Sequence, residues 1–577
     1  MRFAETLLIL AGIAALHAAL VLTGVVPALE GGQVNLFDPD SYTRLLRVAQ
    51  LHATGRWYDP VLTALNAPAG LELHWTRPLD ALMLVLAAPL SLALPFPAAL
   101  EWAGLVMAPA LHGVAALLLW FGSRPLLNRA ERALAVLLFV ALRAPLGDFV
   151  AGFSDHHALV MVLALGQLAA FLNGRMAVAG AAAGLGIWVS PECLLLLPAP
   201  LAALALGWVR DDGDATRDGV RFCAGLLGAL AVGLALERPP AQWLMPDAFR
   251  LSALHAGLGA LLLAAVGAVS LAARRTHGPA GRAFTALAAA MGAAGAAWLL
   301  LPGLFANPQD GLDPVVRAYL LDPVGIEDPL RLAEVNWGDL LLDAGPVLPA
   351  LLCAGVAAAR GPAAQRRGWL FLLLALLLML AYVLFGKARG LHFLALYQAI
   401  PWSAATVRLW RHGGAAVAAA ALVGGGSWIA GAALASTAPP PPPAAECRYG
   451  PVTPHLPPPR PGETVLSDLF DGPELAYRSG YGAIGAPYDL NAAGIRDTQA
   501  LLLGDPRSGT VRRLLEERRV AVIVLCRGRS PDVERELRDR PRSLLALLHR
   551  LSPPPGIEPI ALPAAEAQRF LAYRVAR

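Results

Sequence analysis

Long apolar runs, broken by short charged or Pro/Gly-rich stretches, fill roughly the first three-quarters of the chain. A helix that crosses a membrane needs about 20 mostly apolar residues. Thirteen runs meet or approach that length, at 6–26, 100–122, 133–147, 157–172, 177–190, 193–209, 222–236, 251–273, 284–302, 344–360, 369–386, 392–407 and 414–435. A further apolar stretch, 79–95, contains Pro89 and Pro95.

Basic residues between the runs decide the parity, because cytoplasmic loops are enriched in Lys and Arg. They cluster at Arg124/Arg129/Arg132, Arg175, Arg210/Arg217/Arg221, Arg274/Arg275/Arg282, Arg360/Arg366/Arg367 and Arg408/Arg411. With thirteen crossings and 79–95 left out, all of these clusters share one side with Arg2. We therefore read 79–95 as an interfacial or re-entrant helix. The N-terminus is expected in the cytoplasm and the C-terminus outside, in a bacterial-type inner (plasma) membrane. The first run is longer than a usual signal-peptide core and nearly lacks a basic n-region, so it reads as an anchor rather than a cleaved leader.

The opposite face then carries loop 27–99, loop 303–343 and everything after 436. This predicts an α-helical polytopic membrane domain over 1–436, a Pro-rich linker over 437–462, and a small soluble α/β domain over 463–577. Strand-like runs Thr464–Leu466 and Val520–Leu525 alternate there with helical patterns at Ala492–Leu503 and Val511–Arg518. Cys447 and Cys526 both fall outside, where a disulfide is allowed, and the sequence leaves their pairing open. Cys193, Cys223 and Cys353 fall within runs and read as packing residues.

Composition agrees: 56% of the 577 residues are hydrophobic and only 15% charged, with mean hydropathy +0.55. Soluble chains carry roughly 25% charged residues. A formal charge of +4 is too small to argue for nucleic acid. Five cysteines are too few for a disulfide framework.

Three outer segments place carboxylates beside the ends of runs. They are Phe37-Asp38-Pro39-Asp40-Ser41, Gly152-Phe153-Ser154-Asp155-His156-His157 and Val324-Gly325-Ile326-Glu327-Asp328. Carboxylates and an imidazole gathered from separate segments make a hard-metal site suited to Mg²⁺ or Mn²⁺. Such an ion would neutralise a departing phosphate, and a spare carboxylate could orient or deprotonate an acceptor. Glu192 and His156 are possible cavity residues, since an intramembrane acid is costly unless it meets a partner or water. Arg389 breaks the positive-inside pattern and offers a bidentate phosphate ligand. Each residue has a plain alternative. Asp38, Asp40 or Asp155 could cap a helix. His157 could be a packing residue, Glu327 solvated, and Arg389 snorkelling to the interface.

These segments resemble motifs of the GT-C superfamily of membrane glycosyltransferases, above all the catalytic subunit of oligosaccharyltransferase. Asp38-Pro39 and Arg44 match its D-P-x-x-x-x-R pattern. Gly152, Asp155 and His157 match G-x-x-D-x-[DEH], Val324 and Glu327 match V-x-x-E, and Arg389 matches a late-span arginine. The resemblance covers roughly residues 1–410. It implies thirteen spans and an external C-terminal domain. It also implies carboxylates holding Mg²⁺ or Mn²⁺ and an arginine meeting the donor's phosphates. Leu73-His74-Trp75-Thr76-Arg77-Pro78-Leu79-Asp80 and Ala486-Pro487-Tyr488-Asp489-Leu490-Asn491 also resemble uncharacterised bacterial relatives. The family's W-W-D motif is missing, since no tryptophan follows Trp428, and Asp148 stands where many members carry arginine. What carries over is therefore the fold and the donor chemistry rather than a peptide acceptor.

The expectation is a metal-dependent inverting glycosyltransferase with a polyprenyl-(pyro)phosphate-linked sugar donor. Asp38, Asp155, His157 and Glu327 would hold the metal, Arg389 the donor phosphate, and Asp38 or Asp40 the acceptor, which is a glycan, a lipid or a protein. Rival readings are an oligosaccharyltransferase acting on protein, a lipid or sugar transporter, and a non-catalytic assembly subunit.

Overall fold

The computed structural model describes residues 2–30, 33–306, 311–324, 330, 336–413, 419, 422–435, 447–528 and 531–576. After α1 (Arg2–Leu22) comes a small antiparallel hairpin, β1 (Leu29–Glu30) with β2 (Gln33–Val34). Helix α2 (Pro39–Thr54) starts where Pro39 fixes φ and Asp38 accepts a hydrogen bond from the Ser41 amide at 2.7 Å. It stops at Gly55, whose φ of 65° suits glycine and lets its N–H reach the Leu51 carbonyl. A second hairpin, β3 (Val61–Leu62) with β4 (Leu71–Glu72), leads into α3 (Arg77–Leu90).

The bundle continues through α4 (Phe96–Gly122), α5 (Arg129–Ala141), α6 (Arg143–Phe149), α7 (His157–Leu172), α8 (Met176–Val189), α9 (Pro198–Val209) and α10 (Ala215–Glu237). Then follow α11 (Ala253–Ala272), α12 (Gly278–Leu300), α13 (Trp337–Ala344), α14 (Val347–Arg360), α15 (Ala363–Phe385), α16 (Leu391–Arg411) and α17 (Ser427–Ala435). Among the described residues eight helical stretches are long and apolar enough to cross a membrane, and His157–Leu172 and Met176–Val189 are shorter apolar helices. These account for ten of the thirteen expected runs. The other three, 133–147, 392–407 and 414–435, coincide at least in part with α5 and α6, α16 and α17. The stretch 79–95 falls on α3 and the turn after it and is not among the eight.

Small residues set the closest helix contacts, as is usual where lipid offers no hydrophobic drive. A Cβ on Gly180 would lie 1.8 Å from the Phe222 carbonyl oxygen, and one on Gly225 would lie 2.0 Å from that of Ala177. These two glycines let α8 and α10 touch backbone to backbone.

The segment between α1 and α4 is fixed by a buried ion cluster. Asp80, with 0% exposure, receives Arg44 at 2.8 Å, Arg47 at 2.7 Å and Arg77 at 2.9 Å. Three guanidinium groups around one carboxylate tie α2 to the start of α3.

The C-terminal domain holds a five-stranded sheet in the order β6 (Gly482–Ala483), β5 (Thr464–Leu466), β7 (Val520–Cys526), β9 (Phe570–Val575), β8 (Ile557–Pro559). Strand β5 pairs in parallel with β6 and β7, whereas β9 runs antiparallel to both neighbours. The expected strands and helices fall at Thr464–Leu466, Val520–Cys526, Ala492–Leu503 and Gly509–Glu517. The expected linker boundary needs correction. Tyr449, Val452 and Leu456 are buried in the domain's core, so its packed part begins near Cys447 rather than 463. Residues between α2 and α3 (Leu62, Leu65, Leu71, Leu73 and Trp75) complete that core. Prolines here shape a packed segment because aromatic and branched neighbours give it something to bury.

Cys447 and Cys526 form a disulfide across 79 residues of chain, joining the segment after the Pro-rich stretch to the end of β7. A closed loop of that size restricts the unfolded chain by about 4 kcal/mol in the chain-entropy account. Cys447→Ser together with Cys526→Ser is expected to lower the thermal midpoint of the C-terminal domain by several degrees. An unchanged midpoint would contradict that assignment.

Candidate functional site

Two of the three acidic segments are stitched together by backbone and hydroxyl hydrogen bonds. The Phe37 amide donates to the Gly152 carbonyl at 3.1 Å, and the Ser154 amide donates to Ser41 Oγ at 2.8 Å. Ser154 Oγ donates in turn to the Gly104 carbonyl of α4 at 2.8 Å, where a Cβ on Gly104 would crowd it at 3.0 Å. Gly152 turns the second segment with φ +89°, and a Cβ there would lie 2.9 Å from the Asn35 carbonyl oxygen. Gly152→Val therefore imposes about 1–3 kcal/mol of backbone strain plus a clash. It is expected to lower the thermal midpoint, and a variant with a native midpoint would contradict the stitching.

Asp155 is the centre of the cluster and only 3% exposed. One carboxylate oxygen meets His156 Nδ1 at 2.6 Å and the other meets His157 Nε2 at 3.2 Å. The two imidazoles lie 4.3 Å apart. Among the described residues the one backbone amide that donates to Asp155 is that of the adjacent His156, at 2.6 Å, so it does not cap α7 in the usual way. His156 Nε2 points to Glu192 at 3.8 Å, and Glu192 meets Arg389 at 3.7 Å. Of the predicted residues, Asp38, Asp40, Asp155, His156, His157, Glu192 and Arg389 are thus brought to one locality by charge or contact. Glu327 lies outside the described residues.

Asp38 caps α2 and also belongs to this acidic group, so the capping and site readings of that residue coexist. Burial, with Asp40 and Asp155 close by, pushes its carboxyl well above the usual range. Burial and Asp155 push Asp40 up to about 7. Asp155 goes the other way. Against the opposing effect of burial, His156 and His157 hold it well below the usual carboxylate range. His156 is raised to about 10, because Asp155 and Glu192 outweigh its own burial. Asp155 thus stays ionised beside a protonated His156, while Asp38 and Asp40 hold their protons more readily than free carboxylates do.

The residues fit a divalent ion. One ligand atom from each of Asp155, His156 and His157 lies within 4.8 Å of the others. His156 is held protonated and is not a ligand in that state, so the fit rests on Asp155 and His157 with Asp38 beside them. An oxygen and imidazole set of this kind suits Mn²⁺ or Mg²⁺.

Several neighbours escaped the sequence reading. His392, three residues after Arg389, stacks on His157 with ring centroids 5.9 Å apart and hydrogen-bonds Asp148. Asp148, singled out only as a departure from the family pattern, is therefore the partner of an imidazole beside the site. Arg44, the motif arginine, turns to Asp80 and lies over the Trp75 ring at 4.2 Å. From the C-terminal domain, Arg478 donates to the Val34 carbonyl at 2.9 Å, Asn35 Oδ1 at 3.0 Å and Tyr42 Oη at 2.8 Å. Arg448 stands over the Phe37 ring at 5.4 Å. No short sequence motif signals contacts made across more than 400 residues. A cavity of about 850 Å³ opens beside Asp38, between Tyr42 on one wall and Arg448, Phe470, Asp471 and Glu474 on the other.

No protein-family model matches the chain and no curated protein matches it by sequence. Solved structures do. The oligosaccharyltransferase AglB of Archaeoglobus fulgidus, in complex with an inhibitory peptide and a dolichol-phosphate, matches with TM-score 0.63 and 16% identity, covering 91% of this chain and 70% of that one. The Archaeoglobus fulgidus oligosaccharyltransferase tethered to an acceptor peptide with an NVT sequon gives TM-score 0.64 and 14% identity over 91% and 69%. Its complex with Zn and sulfate gives TM-score 0.62 and 16% identity over 90% and 68%. Over nine-tenths of its length the chain shares its fold with an archaeal oligosaccharyltransferase, so the likeness to GT-C membrane glycosyltransferases read from its motifs holds at the level of the fold.

Proposed function

We propose that the protein is a metal-dependent, inverting glycosyltransferase that takes its sugar from a polyprenyl-phosphate or polyprenyl-pyrophosphate donor at the outer face of the membrane. One observation carries the reading. The Phe37–Gly152 and Ser154–Ser41 hydrogen bonds hold the segment of Asp38 and Asp40 against that of Asp155, although more than 100 residues separate them in the chain.

In this reading Asp38, Asp155 and His157 hold Mg²⁺ or Mn²⁺, with Glu327 as a further ligand. The ion, when bound, supplies positive charge against the departing phosphate. Arg389, kept in place by Glu192, binds the donor phosphate and shares that task. The lipid tail lies among the helices, and the acceptor enters the cavity beside Asp38. The acceptor oxygen or nitrogen forms a bond to the anomeric carbon as the carbon–oxygen bond to phosphate breaks. The proton it loses passes to Asp40 or Asp38. Burial and neighbouring charge raise Asp40 to about 7, which makes its carboxylate a competent base near neutrality.

The fold shared with an enzyme whose structure includes an acceptor peptide favours protein as a second candidate acceptor. The missing W-W-D motif favours a glycan or lipid. The purified protein, given the lipid-linked sugar fraction of its host membranes and Mn²⁺, is expected to release the sugar from its lipid. Chelation with EDTA is expected to stop this and Mn²⁺ to restore it. Release that is indifferent to EDTA would overturn the metal's role.

A further inference from the structure

At the end of α4 remote from the acidic site, three arginines gather around one carboxylate. Gly104, whose carbonyl supports Ser154, and Gly122 at that far end are separated by about 27 Å of helix. Just past Gly122, Arg124 meets one oxygen of Glu5 on α1 at 3.7 Å, and Arg129 meets the other at 3.3 Å. The Trp120 indole donates to Glu5 at 3.2 Å. Arg124 lies over the Phe121 ring and Arg132 over the Trp120 ring, each 4.4 Å from the centroid. Two flat guanidinium groups are thus held against aromatic faces, which leaves N–H edges for an acceptor.

The charges there do not balance. Arg124, Arg129 and Glu5 act electrostatically on Arg132, two like charges against one opposite. Arg132 Nε is buried with no hydrogen-bond partner, and its one side-chain hydrogen bond among the described residues, to the Trp120 carbonyl, is long at 3.3 Å. Glu131, the neighbouring acid, is committed to Arg408 at 2.9 Å and to the Asn128 amide at 2.8 Å. Other arginines of the basic loops have carboxylates of their own. Arg367 meets Asp212 at 2.9 Å and Asp218 at 2.7 Å, and Arg282 meets Asp211 at 2.6 Å. The surface beside the unbalanced cluster is apolar: Phe3, Leu7 and Leu8 of α1 and Leu137 of α5 are all exposed. An excess of positive charge at the foot of apolar helices suits a molecule with an anionic head and hydrocarbon chains.

We propose that Arg124, Arg129 and Arg132 form a binding site for the phosphodiester headgroup of an anionic phospholipid, whose acyl chains lie along α1 and α5. Guanidinium groups bind phosphate oxygens through paired N–H donors, and basic pockets between membrane helices recognise such headgroups. The lipid supplies the negative charge that Glu5 alone does not, and it ties α1 to α4 and α5. The site is separate from the acidic centre and stands whatever reaction that centre performs.

The test places the full chain in nanodiscs of equal parts dioleoylphosphatidylglycerol and dioleoylphosphatidylcholine and counts the retained lipids by native mass spectrometry. The native chain is expected to retain phosphatidylglycerol about tenfold over phosphatidylcholine, the scale set by one or two arginines at an anionic surface. Arg124→Gln with Arg132→Gln should bring that ratio to within about twofold of even. Arg274→Gln with Arg275→Gln removes as much charge from two exposed residues of another basic loop and should leave the ratio unchanged. Excess inorganic phosphate should not displace the lipid, because it lacks the chains that α1 and α5 hold. Should the first pair fail to fold, Arg129→Gln at the exposed rim of the cluster serves in its place, with a severalfold loss expected. A native chain that retains both lipids equally overturns the site without recourse to any variant. An equal loss in both double variants overturns it in favour of general surface charge, and full displacement by inorganic phosphate overturns the lipid as its ligand.

Discussion

Asp155→Asn is expected to reduce sugar transfer by about 10³-fold or more while the protein stays folded. The carboxylate meets two imidazoles and acts electrostatically on two further acids, so it sits at the centre of the proposed site. Removing one electrostatic partner of a developing charge usually costs 10²–10³-fold, and losing an ion's anchor adds to that. Asparagine keeps the size of the side chain, so packing around Ser154 and Gly104 survives. The check is a rate assay beside a thermal melt. A variant that transfers at the native rate would remove Asp155 from the site. His156→Gln is expected to act more mildly, because it holds Glu192 and Asp155 in place without binding donor or ion in its protonated form.

Asp80→Asn is expected to have the largest effect on stability, a loss of about 3–5 kcal/mol. The carboxylate is fully buried and is the shared partner of Arg44, Arg47 and Arg77. Taking its charge away leaves three buried cations facing one another. Replacing a pair with apolar residues can be neutral, but removing one partner is not. The outer half of α2 would loosen, and Asp38 and Asp40 with it, so yield, thermal midpoint and activity should fall together. An Asp80→Asn protein with a native midpoint would show that the cluster does not hold the outer segment.

Much of this fold was legible because apolar length and basic-residue sidedness are strong signals. The strands Thr464–Leu466 and Val520–Cys526 stood out for the same reason: each is an apolar run in a polar domain. The linker was misjudged because prolines announce an extended chain and say nothing of what Tyr449 and Val452 pack against. At the site, Asp38, Asp155 and His157 were legible as a motif whose order and spacing matched a family. Arg478 and His392 were not, since each reaches the neighbourhood through a contact with a distant segment and has no local pattern to betray it. Arg44 shows the opposite error: the motif placed it correctly, but its partner is Asp80.

The most direct measurement is anomalous diffraction at the manganese edge from crystals grown with Mn²⁺ and the host's lipid-linked sugar. One peak is predicted, within bonding distance of Asp155 and His157 and beside Asp38. Crystals of protein that releases sugar, with manganese bound elsewhere or nowhere, would contradict the account.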